Sequence, residues 1–182
     1  TATNESFNLL YIGSIPAHIR NPKFFLDVFM KTTNPLFKLK IVGTNTCPNL
    51  LTQAANKDKR IQLLGSVSHE EAMKLMNEAD ILVNLGNNSP MMTPSKIFEY
   101  MSLGKPIIST APIDTEPSLR YLKYYSSAYI LSENINLEKA SCELEQFILT
   151  SKYKLIDLSE LKNIFYLNTP TAFVKVINEI FN

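Results

Sequence analysis

The sequence has few cysteines and no apolar run long enough to cross a membrane. Cys47 and Cys142 lie far apart, outside any Cys-x-x-Cys or His-rich pattern, which argues against a zinc site or a disulfide framework and favours a reducing, cytoplasmic setting. No apolar run reaches the roughly 18 residues of a membrane span, and the amino end lacks the basic-then-apolar pattern of a signal peptide. We therefore expect no transmembrane segment.

An excess of charge of either sign is also missing. The 18 lysines and arginines nearly balance the 17 acidic residues, and the net charge is +1. This balance gives no electrostatic reason to expect nucleic acid as a partner. Any binding of phosphate must therefore come from a local arrangement of residues.

Glycine is scarce as well, and its five positions mark boundaries. Gly13, Gly43, Gly65 and Gly86 each follow or end an apolar strand segment, so we expect all four at the carboxyl edge of one sheet. Strand and helix patterns alternate six times. This predicts an α/β domain with a Rossmann-like open parallel sheet, strand order 3-2-1-4-5-6, and helices on both faces.

The 182 residues, with 45% apolar content, fit one domain spanning 1–182 whose first residues, Thr1 to Ser6, are interpreted as a severed linker. The predicted strands cover 7–13, 36–43, 60–67, 80–84, 105–110 and 127–131. The predicted helices begin at 21–22, cover 49–57, begin at 68, begin at 93–94, and cover 137–150 and 159–166, with a last one from 169. The last helix carries an apolar stripe that must be covered: Phe173, Val174, Ile177, Ile180 and Phe181.

The stretch 84–108 indicates a strand end, a polar loop, a helix and the next strand. Thr93 and Pro94 are suited to begin the helix and Gly104 to end it, after about three turns. Its amino end then faces the carboxyl edge of the sheet, where free amides and the helix dipole attract phosphate. Glu99 shares a face with Ser95 and Lys96, where its carboxylate suits ribose hydroxyls.

The run Pro94-Ser95-Lys96-Ile97-Phe98-Glu99-Tyr100-Met101, followed by Gly104-Lys105-Pro106-Ile107-Ile108, resembles the donor-binding signature of the group-1 glycosyltransferases. These are two-domain GT-B enzymes that use nucleotide-sugars, and the signature lies in their C-terminal half. The resemblance implies that Glu99 holds the donor ribose and that the helix start, Thr93 to Ile97, carries the diphosphate. The alternative is an ordinary sheet-facing helix whose glutamate is a solvated charge.

The resemblance also implies that three other loops reach the donor. Gly13 and Ser14 open a loop that brings basic residues to the phosphates; Arg20 is preferred over His18 and Lys23, although all three could be solvated loop charges. Gly43, in the next loop, brings backbone close to the donor unless this is a plain turn. Val67 belongs to a segment that contacts the base, mostly through backbone.

No cofactor or metal is expected. Asp114 and Glu116 form only a pair of carboxylates without a third ligand, and the resembling family needs no metal for donor binding. One departure concerns Met91, which lies eight positions before Glu99, where the family often has an acidic residue that contacts the donor sugar. Sugar recognition is therefore unassigned.

The function that the resemblance implies is transfer of a sugar from a nucleotide-diphosphate donor to a hydroxyl acceptor, with retention. This chain supplies the donor half and is expected to be inactive without an N-terminal acceptor domain; the full-length protein is expected in the cytoplasm or at the inner membrane face. Two alternatives remain open. One is half of a sugar-nucleotide 2-epimerase, and the other is a non-catalytic domain that binds a nucleotide or a protein.

Overall fold

The structure, a computed structural model, describes residues 6–92, 95–151, 156 and 159. The strands are β1 (Phe7–Ile12), β2 (Phe37–Val42), β3 (Ile61–Gly65), β4 (Ile81–Asn84), β5 (Ile107–Ala111) and β6 (Ala128–Ser132). The helices are α1 (Lys23–Lys31), α2 (Pro48–Lys57), α3 (His69–Glu78), α4 (Lys96–Ser102), α5 (Leu119–Leu122) and α6 (Leu137–Ser151). None of these helices is long and apolar enough to cross a membrane.

The six strands form one sheet in the order β3-β2-β1-β4-β5-β6, and every neighbouring pair is parallel. The predicted open parallel sheet and its strand order are confirmed. Crossover helices connect the strands because a parallel neighbour can be reached only by returning the chain to the opposite edge.

The strands alternate their side chains between two apolar cores. Leu9 and Tyr11 of β1 lie in the core beneath α1, α2 and α6, whereas Leu10 and Ile12 lie in the core beneath α3, α4 and α5. Helices therefore cover both faces, as the near-continuous apolar strands predicted.

Side-chain hydrogen bonds lie at the starts of α3 and α1. Ser68 Oγ accepts a hydrogen bond from the Glu71 backbone N–H at 3.2 Å, which caps the helix that was predicted to begin at 68. The Asn21 side chain accepts from the Lys23 N–H at 2.9 Å, directly before α1. These contacts fix where α3 and α1 begin.

Several boundaries differ from the prediction. β5 begins at Ile107 rather than at residue 105, and the short helix α5 was not predicted. Met73 of α3 is 38% exposed, whereas Leu75 and Met76 carry the buried contacts of this helix. The helices predicted at 159–166 and from 169 lie outside the described residues, apart from Ser159.

The strand order reverses between β1 and β4, and this reversal positions the candidate site. The chain runs outward from β1 through β2 and β3, then returns to β4 on the other side. The loops after β1 and β4 therefore diverge and leave a crevice at the carboxyl edge. Gly13, Gly43, Gly65 and Gly86 lie at or just beyond strand ends on this edge, as predicted.

Gly43 permits two of these loops to touch. Its φ is +123°, and a Cβ built there would lie 2.1 Å from the Gly13 carbonyl oxygen. We predict that Gly43→Ala lowers the free energy of unfolding by roughly 3 kcal/mol or more, because the clash is with backbone and cannot be relieved by a rotamer change. Urea unfolding measures this loss.

Gly65→Ala is the matched control. Gly65 also has a positive φ, +65°, but a Cβ there would meet nothing within 4 Å. Its cost should be only the left-handed backbone strain, about 1–2 kcal/mol. Equal losses in the two variants would show that contact between the loops does not govern Gly43.

Candidate functional site

A small cavity of about 100 Å³ lies in the crevice between the loop after β1 and the start of α4. It is lined by Tyr11, Ile12, Gly13, Ser14, Arg20, Asn84, Ser95, Lys96 and Tyr100. Five of the sequence-predicted residues, Gly13, Ser14, Arg20, Ser95 and Lys96, are thus brought together. Its two cationic side chains, those of Arg20 and Lys96, come from opposite walls.

Arg20 is held in place by two hydrogen bonds. Its Nη1 donates to the Ser14 carbonyl at 3.0 Å, and its Nε donates to Asn87 Oδ1 at 3.0 Å. The side chain is partly buried, so it is not a freely solvated loop charge. His18 is exposed, and Lys23 pairs with Asp27 one turn further along α1, so neither lines the cavity.

Two buried tyrosines form the floor of the cavity. The Tyr11 hydroxyl donates to the Ser14 carbonyl at 2.8 Å, and the Tyr100 hydroxyl donates to the Ile12 carbonyl at 3.1 Å. Burial raises the pKa of Tyr11, an effect that the nearby Arg20 guanidinium partly opposes. Burial also raises the pKa of Tyr100, so both hydroxyls remain protonated donors at neutral pH. They therefore fix the backbone around Gly13 and Ser14.

The α4 wall is shorter than the sequence indicated. The helix begins at Lys96 and has seven residues, which is about two turns rather than three. Lys96 Nζ lies 3.1 Å from Glu99 Oε2, so the predicted shared face is confirmed. The Glu99 side chain is 53% exposed and adjoins the cavity through Lys96 rather than lining it. Thr93 and Pro94 lie outside the described residues.

The remaining predicted residues differ in position. Ile97 is fully buried in α4, so its side chain cannot face a ligand. Thr44, next to Gly43, has its Oγ1 3.3 Å from Ser14 Oγ, which joins the second loop to the first. Val67 packs partly buried against the α3 core and does not line the cavity, and Met91 is 88% exposed.

A buried polar network behind the cavity was missed by the sequence reasoning. Asn84 Nδ2 donates to Ser109 Oγ at 2.8 Å, which links β4 to β5. Asn87 is 1% exposed, and its side chain bonds both Arg20 and the Met92 carbonyl. The only sequence signal was an asparagine at the end of an apolar strand and a second one three residues later.

Glu116 anchors this network from the loop after β5. Its carboxylate accepts from the Asn87 N–H at 3.3 Å, the Ser118 N–H at 2.8 Å and Ser118 Oγ at 3.1 Å. Burial raises the pKa of Glu116, and these hydrogen bonds oppose the rise. The carboxylate thus holds backbone in place. Among the described residues, no group of three His, Cys, Asp or Glu side chains could hold a metal ion.

The comparisons with known proteins identify the family and the fold of this chain. A family model described as group 1 glycosyl transferases matches residues 6–118, which include every strand from β1 to β5 and both walls of the cavity. The chain belongs to the group 1 glycosyltransferases. No curated protein matches the sequence.

Solved structures share the fold at low sequence identity. WaaG, a glycosyltransferase involved in lipopolysaccharide biosynthesis, is 16% identical, with a TM-score of 0.61 over 80% of this chain and 39% of its own. HepE from Anabaena, in complex with UDP and glucose, is 12% identical, with a TM-score of 0.63 over 80% of this chain and 40% of its own. A mutant of TarM from S. aureus, in complex with UDP among other ligands, is 14% identical, with a TM-score of 0.68 over 100% of this chain and 37% of its own.

The fold is thus the Rossmann-like domain of GT-B glycosyltransferases. The chain spans about two fifths of the length of each of these three proteins.

We predict that Glu116→Gln destabilises the protein by about 1–3 kcal/mol. The amide keeps the size of the side chain but turns one acceptor into a donor that faces backbone N–H groups. Denaturant unfolding tests this, with Asp114→Asn, an exposed carboxylate of the same loop, as the control. That control should change stability by no more than about 0.5 kcal/mol. A Glu116→Gln protein as stable as the control would contradict the anchoring role.

Proposed function

We propose that this chain binds the nucleoside-diphosphate part of a nucleotide-sugar donor in the cavity at the carboxyl edge. The observation that carries the proposal is the convergence of Arg20 and Lys96 from opposite walls of one cavity, with the Glu99 carboxylate adjoining it. The family match supports a transferase that uses such donors.

The two cations account for diphosphate binding in a protein whose net charge is close to zero. A guanidinium presents a fork of donors to phosphate oxygens, and an ammonium adds a point charge. When the bond to the sugar breaks, negative charge develops on the leaving diphosphate, and cations already in place stabilise it without reorganisation. Because α4 has only two turns, we assign this role mainly to Arg20 and Lys96 and less to the helix dipole.

Glu99 is placed to accept hydrogen bonds from the ribose. In this structure it pairs with Lys96, but the two side chains are 53% and 37% exposed. An ion pair this exposed contributes less than about 1 kcal/mol, so it can rearrange at little cost. Lys96 then turns to phosphate while the carboxylate accepts from the ribose 2′- and 3′-hydroxyls.

The nucleotides in the similar structures suggest the first probe. HepE and TarM were each solved with UDP, and so was the pneumococcal O-GlcNAc transferase GtfA. We therefore take UDP as the test ligand and GDP as its comparison. The solvent-exposed Met91 leaves the sugar unassigned.

We further propose that the whole protein transfers the sugar to a hydroxyl acceptor with retention, and that it acts in the cytoplasm or at the inner face of the membrane. The acceptor would be bound by an N-terminal domain, because this chain matches only about two fifths of the length of WaaG and HepE. No metal or cofactor is assigned a role. We expect no metal at the acidic pair Asp114 and Glu116, because the Glu116 carboxylate accepts hydrogen bonds from backbone N–H groups.

We predict that Glu99→Gln binds UDP roughly ten- to hundredfold more weakly, which corresponds to about 1.5–3 kcal/mol for a lost charged hydrogen bond. Calorimetric titration measures the affinity, and thermal unfolding should show no change because the side chain is half exposed. Glu78→Gln, an exposed glutamate on α3, is the matched control and should bind as the wild type does.

The 2′,3′-dideoxy form of the ligand tests the contact itself. It should bind the wild type poorly and lose little more in Glu99→Gln, because the partner hydroxyls are already absent. If Glu99→Gln binds the ribose ligand with unchanged affinity and unfolds at an unchanged temperature, Glu99 is only a solvated helix charge.

We also predict that residues 1–182 alone bind UDP but transfer no sugar. The chemistry of a two-domain transferase needs the acceptor and donor held together in the cleft between its domains. Product analysis with radiolabelled UDP-sugars and simple acceptors tests this. Robust turnover by this chain would refute the donor-half assignment, whereas absence of UDP and GDP binding would refute the proposed function.

A further inference from the structure

Asn87 connects the two walls of the cavity through one buried side chain. It is 1% exposed, yet each polar atom of its amide has a partner in a different segment. Its Oδ1 accepts from Arg20 Nε at 3.0 Å, and its Nδ2 donates to the Met92 carbonyl at 2.6 Å, on the loop that leads to α4. Asn87 therefore contacts both the Arg20 cation of one wall and the backbone that precedes α4, which forms the other wall.

Asn87 is itself fixed by its surroundings. Its backbone N–H donates to the buried Glu116 carboxylate at 3.3 Å. The next residue, Asn88, donates from its N–H to the Ile19 carbonyl and from Nδ2 to the His18 carbonyl, both at 2.8 Å. The loop after β4 is thereby fastened to the loop that carries Arg20, and the Asn87 amide has little freedom to move.

We propose that Asn87 is a positioning residue for donor binding: its amide oxygen fixes the orientation of the Arg20 guanidinium toward the donor diphosphate. This inference rests on the proposed function. Asn87 does not touch the ligand and acts only through Arg20. A long arginine side chain loses considerable rotamer freedom when it binds phosphate, and a guanidinium that is already held by Asn87 and Ser14 has less to lose.

The contact of Asn87 with Arg20 Nε complements the contact of the Ser14 carbonyl with Nη1. With Nε bound to Asn87 and Nη1 bound to the Ser14 carbonyl, the guanidinium is held through two of its three nitrogens, which limits its rotation. An uncharged amide is suited to this task because a carboxylate at the same position would neutralise the charge that phosphate needs. The arrangement therefore holds the cation without cancelling it.

A double-mutant cycle tests the proposal with UDP and uridine as probes. Asn87→Ala should weaken UDP binding by about tenfold, as expected for loss of one hydrogen bond to a charged group, and should change uridine binding by less than about twofold. In an Arg20→Gln background, Asn87→Ala should have little further effect on UDP affinity, since the cation it positions is gone. Additive losses for UDP would overturn the proposal.

Asn88→Ala is the matched control because it removes a hydrogen bond between the same two loops without touching Arg20. It should lower thermal stability less than Asn87→Ala does, because Asn88 is exposed, and it should leave the ratio of UDP to uridine affinity near the wild-type value. If Asn88→Ala changes this ratio as much as Asn87→Ala does, the effect belongs to loop packing and the positioning role fails.

A readout in the wild type covers the case in which Asn87→Ala does not fold. The Nε–H of Arg20, observed by ¹⁵N NMR, should exchange with water more slowly than the same group in an unstructured arginine peptide. An exchange rate equal to that of the peptide would overturn the proposal. These outcomes distinguish the proposed function from the role of Asn87. If the wild type binds neither UDP nor GDP, both fail. If it binds UDP but the losses in the mutant cycle are additive, only the role of Asn87 fails.

Discussion

The adjacency of β1 and β4 is the constraint on which the rest of the molecule depends. Parallel pairing requires every strand to end at the same edge, and the reversal of strand order at this pair sends its two following loops in opposite directions. The crevice that results is a product of topology. Arg20 and Lys96 reach it because each lies shortly after one of these two strands, one on the loop after β1 and the other at the start of α4.

The site is held mainly by contacts to backbone. The Ser14 carbonyl accepts from both Tyr11 and Arg20, and the Glu116 carboxylate accepts from two backbone N–H groups. Such contacts fix the loops before any ligand arrives, which reduces the entropy that binding must overcome. They also confine positive charge to one place, so the proposed binding of phosphate needs no general excess of basic residues.

Two differences from the expected pattern change which groups the proposed donor binding relies on. A helix of two turns offers a weaker amino-terminal dipole than the three turns that the sequence indicated, and the exposed Met91 stands where the resemblance implies an acidic residue that contacts the donor sugar. In the proposed donor site, the side-chain cations and the Glu99 carboxylate would then carry more of the recognition. The proposed roles of Lys96 and Glu99 are linked, because the two side chains pair with each other in this structure and would exchange that contact for phosphate and ribose.

The sequence by itself determined the parallel sheet, its strand order and most of the α4 wall of the site. Apolar runs that end in glycine and alternate with helical patterns are compatible with few topologies. The relation of Ser95 to Glu99 can be read from the sequence because both lie in one short segment. Only the tertiary structure decided which polar residues lie behind the α4 wall. Asn87 and Glu116 are 29 positions apart and meet only because β4 and β5 are neighbours, and Arg20 and Asn87 meet only because β1 and β4 are. Hydrogen bonds between distant segments leave no periodicity in the sequence, so only the folded chain shows which polar side chains are buried together.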